Sequence, residues 1–209
     1  MVQPMAADTV TLRQLQQAFG LQHTADPAFF PEWQGATTEL TTAEQQTCDR
    51  VKANCTALMA EPPRLENSVK MGVLSPLLDL AGFYRPPFRL ETETSIDIEL
   101  TEQGLRIRGR IDVLVLQERL WLLVIEAKRS DLAVTRALPQ ALAYLLSNPD
   151  VAPPTFGLIT NGNEFLFLKA TRHPTAQYAN SRLYALINPH NDLHEVLSVL
   201  KGLGAAIAP

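Results

Sequence analysis

Apolar positions in the first third of the chain recur at helical spacing. Thr11 to Phe19 and Thr42 to Met59 each predict a helix, and Thr42 and Gln45 have the arrangement of a capping box. Leu65 to Phe83 predicts a third helical stretch that Pro76 kinks or interrupts and Pro86-Pro87 ends. From Phe88 the period changes to two. Phe88, Leu90, Thr92, Thr94, Ile96, Ile98 and Leu100 alternate with polar or charged residues, which predicts a long strand turning at Glu102-Gln103-Gly104. Leu105 to Leu116 and Trp121 to Lys128 follow, completing a three-stranded antiparallel meander. Helical spacing returns from about Ala133 to Leu146, where Pro139 marks either a kink or the true start. Thr155 to Thr160 and Glu164 to Lys169 flank the turn signal Asn161-Gly162. Arg182 to Ile187 adds one more strand, and Asn191 to Leu203 a closing amphipathic helix.

Together these elements predict an α/β chain of mixed α+β character, with a mixed central sheet made by the meander and the later hairpin and helices on both sides. Its 209 residues, 46% of them hydrophobic, allow one substantial core. The expected division is an N-terminal helical extension at 1–63 and a single domain at 64–209. No apolar run approaches the roughly 20 residues that span a bilayer, and no basic flank with a hydrophobic run opens the chain. A soluble, cytoplasmic protein without a membrane partner is expected. Cys48 and Cys55, the two cysteines, fall seven residues apart in a helical segment, so they lie two turns apart on one face and do not suggest a disulfide or zinc.

The formal net charge of −4 does not favour an obligate nucleic-acid binder, but its distribution changes that picture. Residues 64–136 hold 11 of the 18 Lys and Arg and 11 of the 22 Asp and Glu, so the middle is neutral and a local basic channel can form there.

The candidate chemistry lies in the same stretch. Residues two apart in a strand share a face, so Glu126 and Lys128 project the same way. If the turn centres on Arg119, Val115 faces Leu123, Leu114 faces Val124, Val113 faces Ile125 and Asp112 faces Glu126. Slipping by one residue sets both carboxylates against aliphatic neighbours, so the register that suits the core also assembles the acids. Two carboxylates about 5 Å apart repel each other, and a hard divalent cation relieves this. Such an ion with an adjacent lysine suits phosphodiester hydrolysis. From local residues alone, sheet carboxylates balanced by Lys128 or Arg110 are an equally good account.

Arg110-Ile111-Asp112 followed by Val124-Ile125-Glu126-Ala127-Lys128 resembles the D…ExK signature of the PD-(D/E)xK nuclease superfamily. Gln140 and Tyr144, one helical turn apart after the third strand, resemble the QxxxY motif of its branch containing RecB-like nucleases and the N-terminal domains of type I restriction enzyme R subunits. Thr160-Asn161-Gly162 before Phe165 to Leu168 is similar to the hairpin of those domains. The likeness covers about residues 64 to 170. It implies a restriction-endonuclease-like core and hydrolysis of DNA with Mg²⁺ or Mn²⁺. Asp112, Glu126 and Glu66 would hold the metal, Lys128 would complete the catalytic set, and Gln140 and Tyr144 would contact substrate. Restriction-system subunits or a second copy of the chain would be its protein partners. For Glu66 a helix salt bridge to Lys70 is an equal alternative, and for Tyr144 a core position with Gln140 at its polar edge.

His190 and His194 have i,i+4 spacing, but without HExxH or an evident third ligand they predict a surface pair. Neither GxGxxG nor GxxxxGK[ST] occurs, so ATP use is not expected. Because no helicase motor follows and the net charge is acidic, a catalytically idle nuclease-fold module for nucleic-acid binding or a restriction complex stands as the alternative. An interaction scaffold using the acidic N-terminal helices is a third reading.

Overall fold

The computed structural model describes residues 5–34, 38–57, 66–100, 105–117, 120–127, 129 and 131–205. For Glu66 and residues 98–100, 105 and 120–127 it describes the backbone alone.

Helix α1 (Leu12–Phe19) begins in a capping box: the Gln14 backbone N–H donates to Thr11 Oγ1 at 3.3 Å, and Gln14 Oε1 accepts from the Thr11 N–H at 2.8 Å. Gly20, at φ 66, ends it in the left-handed conformation. Helix α2 (Thr42–Ala57) is capped one residue earlier than Thr42 and Gln45 predict. Glu44 donates its N–H to Thr41 Oγ1 at 3.3 Å and accepts from the Thr41 N–H at 2.7 Å. The capping residue must stand outside the helix, and the carboxylate of Glu44 is a stronger acceptor than the amide of Gln45. Cys48, Val51 and Cys55 form the buried line of α2, and both thiols are free. Burial first, then the Asp49 and Glu44 carboxylates, push the Cys48 thiol up to about 11.

The third helical stretch is broken in an informative way. Helix α3 (Glu66–Val69) passes into a π-helical turn at Lys70–Leu74 and then into α4 (Ser75–Leu80). Pro76 has no N–H for the carbonyl four residues back, and its ring would crowd that carbonyl. The ladder widens just ahead of it, with the Ser75 N–H donating to the Lys70 carbonyl.

Strands β3 (Phe88–Leu100), β4 (Leu105–Gln117) and β5 (Leu120–Ala127) form the antiparallel meander. β5 then pairs in parallel with β6 (Thr155–Thr160), which turns back into β7 (Glu164–Thr171). The crossover between β5 and β6 carries a 3-10 turn at Val134–Ala137 and helix α5 (Leu138–Leu146), with Pro139 in its first turn, where no N–H is needed. β8 (Gln177–Asn180) and β9 (Tyr184–Ala185) both pair with β7, where one strand at 182–187 is expected. Helix α6 (Leu193–Ala205) closes the described chain. Two short strands complete the sheet: β1 (Met5–Ala6) runs parallel to β4, and β2 (Gln22–His23) parallel to β8. Among the described residues the sheet has nine strands, in the order β1-β4-β5-β6-β7-β8-β2, with β3 on β4 and β9 on β7. It is the mixed sheet flanked by helices that the periodicity predicts.

Alternating residues divide the core between two faces. On one face Val113, Val115, Phe156, Leu158, Phe165 and Phe167 pack with α2, α4 and α6; on the other Ile107, Ile111, Leu114, Leu116, Ile159 and Leu166 pack with α1 and α5. Residues of α1, α2, β1 and β2 thus share the sheet and cores of the later chain. Among the described residues, no helix is long and apolar enough to cross a membrane.

Candidate functional site

Strand β4 forks at the candidate site. β3 pairs along one edge of it, from Phe88–Gln117 to Leu100–Leu105. The other edge is shared: β5 holds Val113 to Gln117, and β1 holds Ile107 and Arg108. The registered pairs Val113–Ile125, Leu114–Val124 and Val115–Leu123 match the expected register, and a bulge after Val115 absorbs Leu122 so that Leu116 meets Trp121. Asp112 and Glu126 are the next residues beyond the last pair, where the two strands part. Glu126 is paired on its other side with Ile159.

The pleat slips at this point. Ile107 and Ile111 face the α5 side, and so do Leu114 and Leu116; the odd-numbered alternation becomes even across Asp112. Opposite, between Thr92–Val113 and Thr94–Ile111, Glu93 has φ 55. A non-glycine residue held in the left-handed region costs on the order of 1–3 kcal/mol, and such strain clusters at functional sites. The slip turns Asp112 toward Lys70, which begins the π-helical turn. Lys70 Nζ lies 2.5 Å from Asp112 Oδ1 and 3.0 Å from Glu93 Oε1, and Arg110 Nη1 is 3.4 Å from Glu93 Oε2. The Lys70 and Asp112 side chains are 18% and 12% exposed, so this pair is far less screened than a surface ion pair. Burial pulls the Lys70 ammonium down, but its hydrogen bonds to Asp112 and Glu93 outweigh this and raise it above the ordinary lysine value. Lys70 is thus the lysine that the described residues place on Asp112; Lys128 lies outside them. Glu66 begins α3, one helical turn before Lys70.

Sequence reading missed Lys70 and Glu93 as members of the cluster. Lys70 stood only as a helix partner for Glu66, and Glu93 is one polar member of a two-residue alternation. The sequence offered one partial signal: Pro76 forbids an unbroken α-helical ladder ahead of it but does not single out Lys70.

Gln140 and Tyr144 share the buried face of α5. Gln140 Nε2 donates to Tyr144 Oη at 2.9 Å, and the two are 9% and 1% exposed. The Tyr144 ring lies against β4 at Gly109, where an added Cβ would come 2.7 Å from its hydroxyl and 2.6 Å from Ala7 Cβ. The QxxxY pair is therefore seated against the same strand as Asp112.

Below Asp112 on β4, Arg106 and Arg108 both clasp Asp97, with Arg106 Nε at 2.9 Å from Oδ1 and Arg108 Nε at 2.8 Å from Oδ2. The Arg106 guanidinium foremost, joined by Arg108, holds the exposed Asp97 carboxyl at about 2. A depressed folded-state value stabilises above the unfolded value near 3.8, and this contribution disappears as pH falls through about 2. A carbon-detected NMR titration is expected to find Asp97 near 2 and, in Arg106→Gln, higher. An unchanged midpoint would show that Arg106 does not hold this carboxylate.

His190 and His194 do not converge. His194 Nε2 meets Asp49 Oδ1 at 3.0 Å, whereas His190 Nε2 meets the buried Asp192 Oδ1 at 2.5 Å. His190, Asp192 and Glu195 bring ligand atoms within 4.8 Å of one another, a grouping that helical spacing does not reveal. Arg182 already supplies a cation there, 2.8 Å from Glu195 Oε2.

No curated protein matches the chain. Among solved structures, a fragment assigned as the HsdR subunit of a type I restriction enzyme from Vibrio vulnificus YJ016 is similar at 17% identity and a TM-score of 0.42. The match covers 66% of this chain and 26% of that one, so this chain spans about a quarter of that relative's length. The family model described as Type I restriction enzyme R protein N terminus matches residues 39–176, more than half of the 209 residues and including the whole meander, α5 and the β6–β7 hairpin; the chain belongs to that family.

Proposed function

We propose that this chain is a Mg²⁺-dependent deoxyribonuclease module of a restriction system, acting in the cytoplasm on DNA with other subunits of that system as partners. The observation that carries the reading is the β4–β5 register, in which Asp112 and Glu126 are the next residues of their strands beyond the last core pair. Membership of the family supports it further. The donor set suits a hard cation: Asp112, Glu126 and Glu66 offer carboxylate oxygens, which Mg²⁺ or Mn²⁺ prefers to nitrogen or sulfur ligands.

In this reading Asp112 and Glu126 hold the ion, and Glu66 assists from the start of α3. When bound, the ion makes water more acidic and offsets charge at the phosphoryl group. Lys128 orients the water or the phosphate. Gln140 and Tyr144, through their mutual hydrogen bond and the packing of the tyrosine on Gly109, steady β4 beside the site.

The test is cleavage of plasmid and oligonucleotide substrates with Mg²⁺ or Mn²⁺, with an EDTA control, comparing the wild type with Lys128→Ala. Cleavage that stops in EDTA and falls by about 100-fold in the variant is expected. Undiminished cleavage by Lys128→Ala would remove Lys128 from the mechanism. No metal-dependent cleavage on any substrate would leave the idle nucleic-acid-binding module as the better account.

A further inference from the structure

Two local irregularities meet at one ammonium group. The π-helical turn starts at Lys70, and the strained Glu93 stands across from the pleat slip at Asp112. Lys70 and Glu93 are themselves polar positions at the edge of the core, although Val73 and Leu74 of the same π turn are buried in it. Both irregularities border a single contact, in which Lys70 Nζ spans Asp112 Oδ1 at 2.5 Å and Glu93 Oε1 at 3.0 Å. We propose that Lys70 is a built-in competitor for the divalent cation at Asp112, and that Glu93 is the carboxylate that receives its ammonium when the cation takes Asp112. The proposal rests on the metal-dependent reading above.

The argument is one of shared atoms. A cation ligated by Asp112 Oδ1 and an ammonium 2.5 Å from that oxygen compete for one carboxylate oxygen, and two positive charges at such separations repel strongly. Lys70 has a second acceptor at hand, so it can leave Asp112 without losing its ion pair. Glu93 is 49% exposed and Asp112 only 12%, so the displaced ammonium moves outward, toward solvent. Arg110, 3.4 Å from Glu93 Oε2, helps hold that carboxylate in place. Lys70 is thereby a positioning residue, which adjusts how readily the metal binds and where a positive charge stands once it has bound.

Isothermal titration of the full chain with Mn²⁺, without nucleic acid, tests this. Lys70→Met is expected to bind Mn²⁺ about tenfold more tightly than the wild type. Glu93→Gln is expected to bind it about threefold more weakly, since the ammonium then has only Asp112 as a charged partner. Removing a residue that only braces the fold would not move the two affinities in opposite directions. Because Glu93 is exposed, its variant stays informative even if Lys70→Met does not fold. Tight binding by Lys70→Met where the wild type binds weakly or not at all supports the proposal. Equal or weaker binding by Lys70→Met, or unchanged binding by Glu93→Gln, overturns it; the metal reading itself then still stands if wild-type binding is lost in Asp112→Asn. If neither the wild type nor Lys70→Met binds Mn²⁺, the metal reading and the competitor role fail together.

Discussion

Asp112→Asn is expected to reduce Mg²⁺-dependent DNA cleavage on the order of 10³-fold, equivalent to about 4 kcal/mol of transition-state stabilisation, with the fold retained. Asparagine keeps the shape of the side chain and one carbonyl oxygen, so Lys70 still has an acceptor there and a second in Glu93, 3.0 Å away. What is lost is the negative charge that a divalent cation requires. Single-turnover cleavage alongside thermal unfolding checks this. A variant that melts like the wild type and cleaves at less than a hundredth of its rate fits the assignment. Near-normal cleavage by a folded Asp112→Asn would mean that the carboxylate belongs to a structural ion pair with Lys70, a form of the sheet-carboxylate account in which Lys128 or Arg110 is the expected partner. The expected effect exceeds that of Lys128→Ala because a directly ligating charge is removed, rather than a group that orients the reacting molecules.

Most of the sheet was legible because its signals are local. The alternation from Phe88 to Leu100, the Asn161-Gly162 turn and the apolar matching of Val113 to Ile125 each follow from neighbours along the chain, and the strands lie where those patterns put them. The parts that escaped notice depend on distant partners. β1 and β2 are two residues each, too short for any periodicity, and exist only because β4 and β8 offer them an edge. The bulge at Leu122 is likewise invisible in sequence, since symmetric pairing about Arg119 gives equally apolar partners. At the site, Asp112 could be reached by counting residues in a hairpin. Lys70 and Glu93 could not, because their meeting depends on a π turn in one element and a backbone outlier in another. The QxxxY spacing gave the shared face of Gln140 and Tyr144, but not their mutual hydrogen bond or the packing of the tyrosine ring on Gly109.

That packing gives the largest expected effect on stability. Gly109→Ala is expected to destabilise the protein by about 1–3 kcal/mol, since overpacking a closed core forces side chains and backbone to shift. The new methyl carbon would lie 2.6 Å from Ala7 Cβ, 2.7 Å from Tyr144 Oη and 2.9 Å from Tyr144 Cε1. Ala7 and Tyr144 are only 2% and 1% exposed, so neither has room to withdraw, and the Ala7 methyl is fixed directly to backbone. Strand β1 must then lift from β4, or Tyr144 must swing and give up its hydrogen bond to Gln140. For a chain of this size the loss corresponds to roughly 2–4 °C in Tm per kcal/mol. Gly72→Ala is the control: its added carbon meets nothing within 4 Å and no positive φ is involved, so a gain of up to about 1 kcal/mol is expected. Ala7→Gly combined with Gly109→Ala removes the closest collision, and the pair should depart from additivity by about 1 kcal/mol in the stabilising direction. Additive losses in that cycle would place the strain on Tyr144 instead. In that case Gly109→Ala should also lower DNA cleavage more than its stability loss explains, because the Gln140–Tyr144 pair is held against β4 three residues from Asp112.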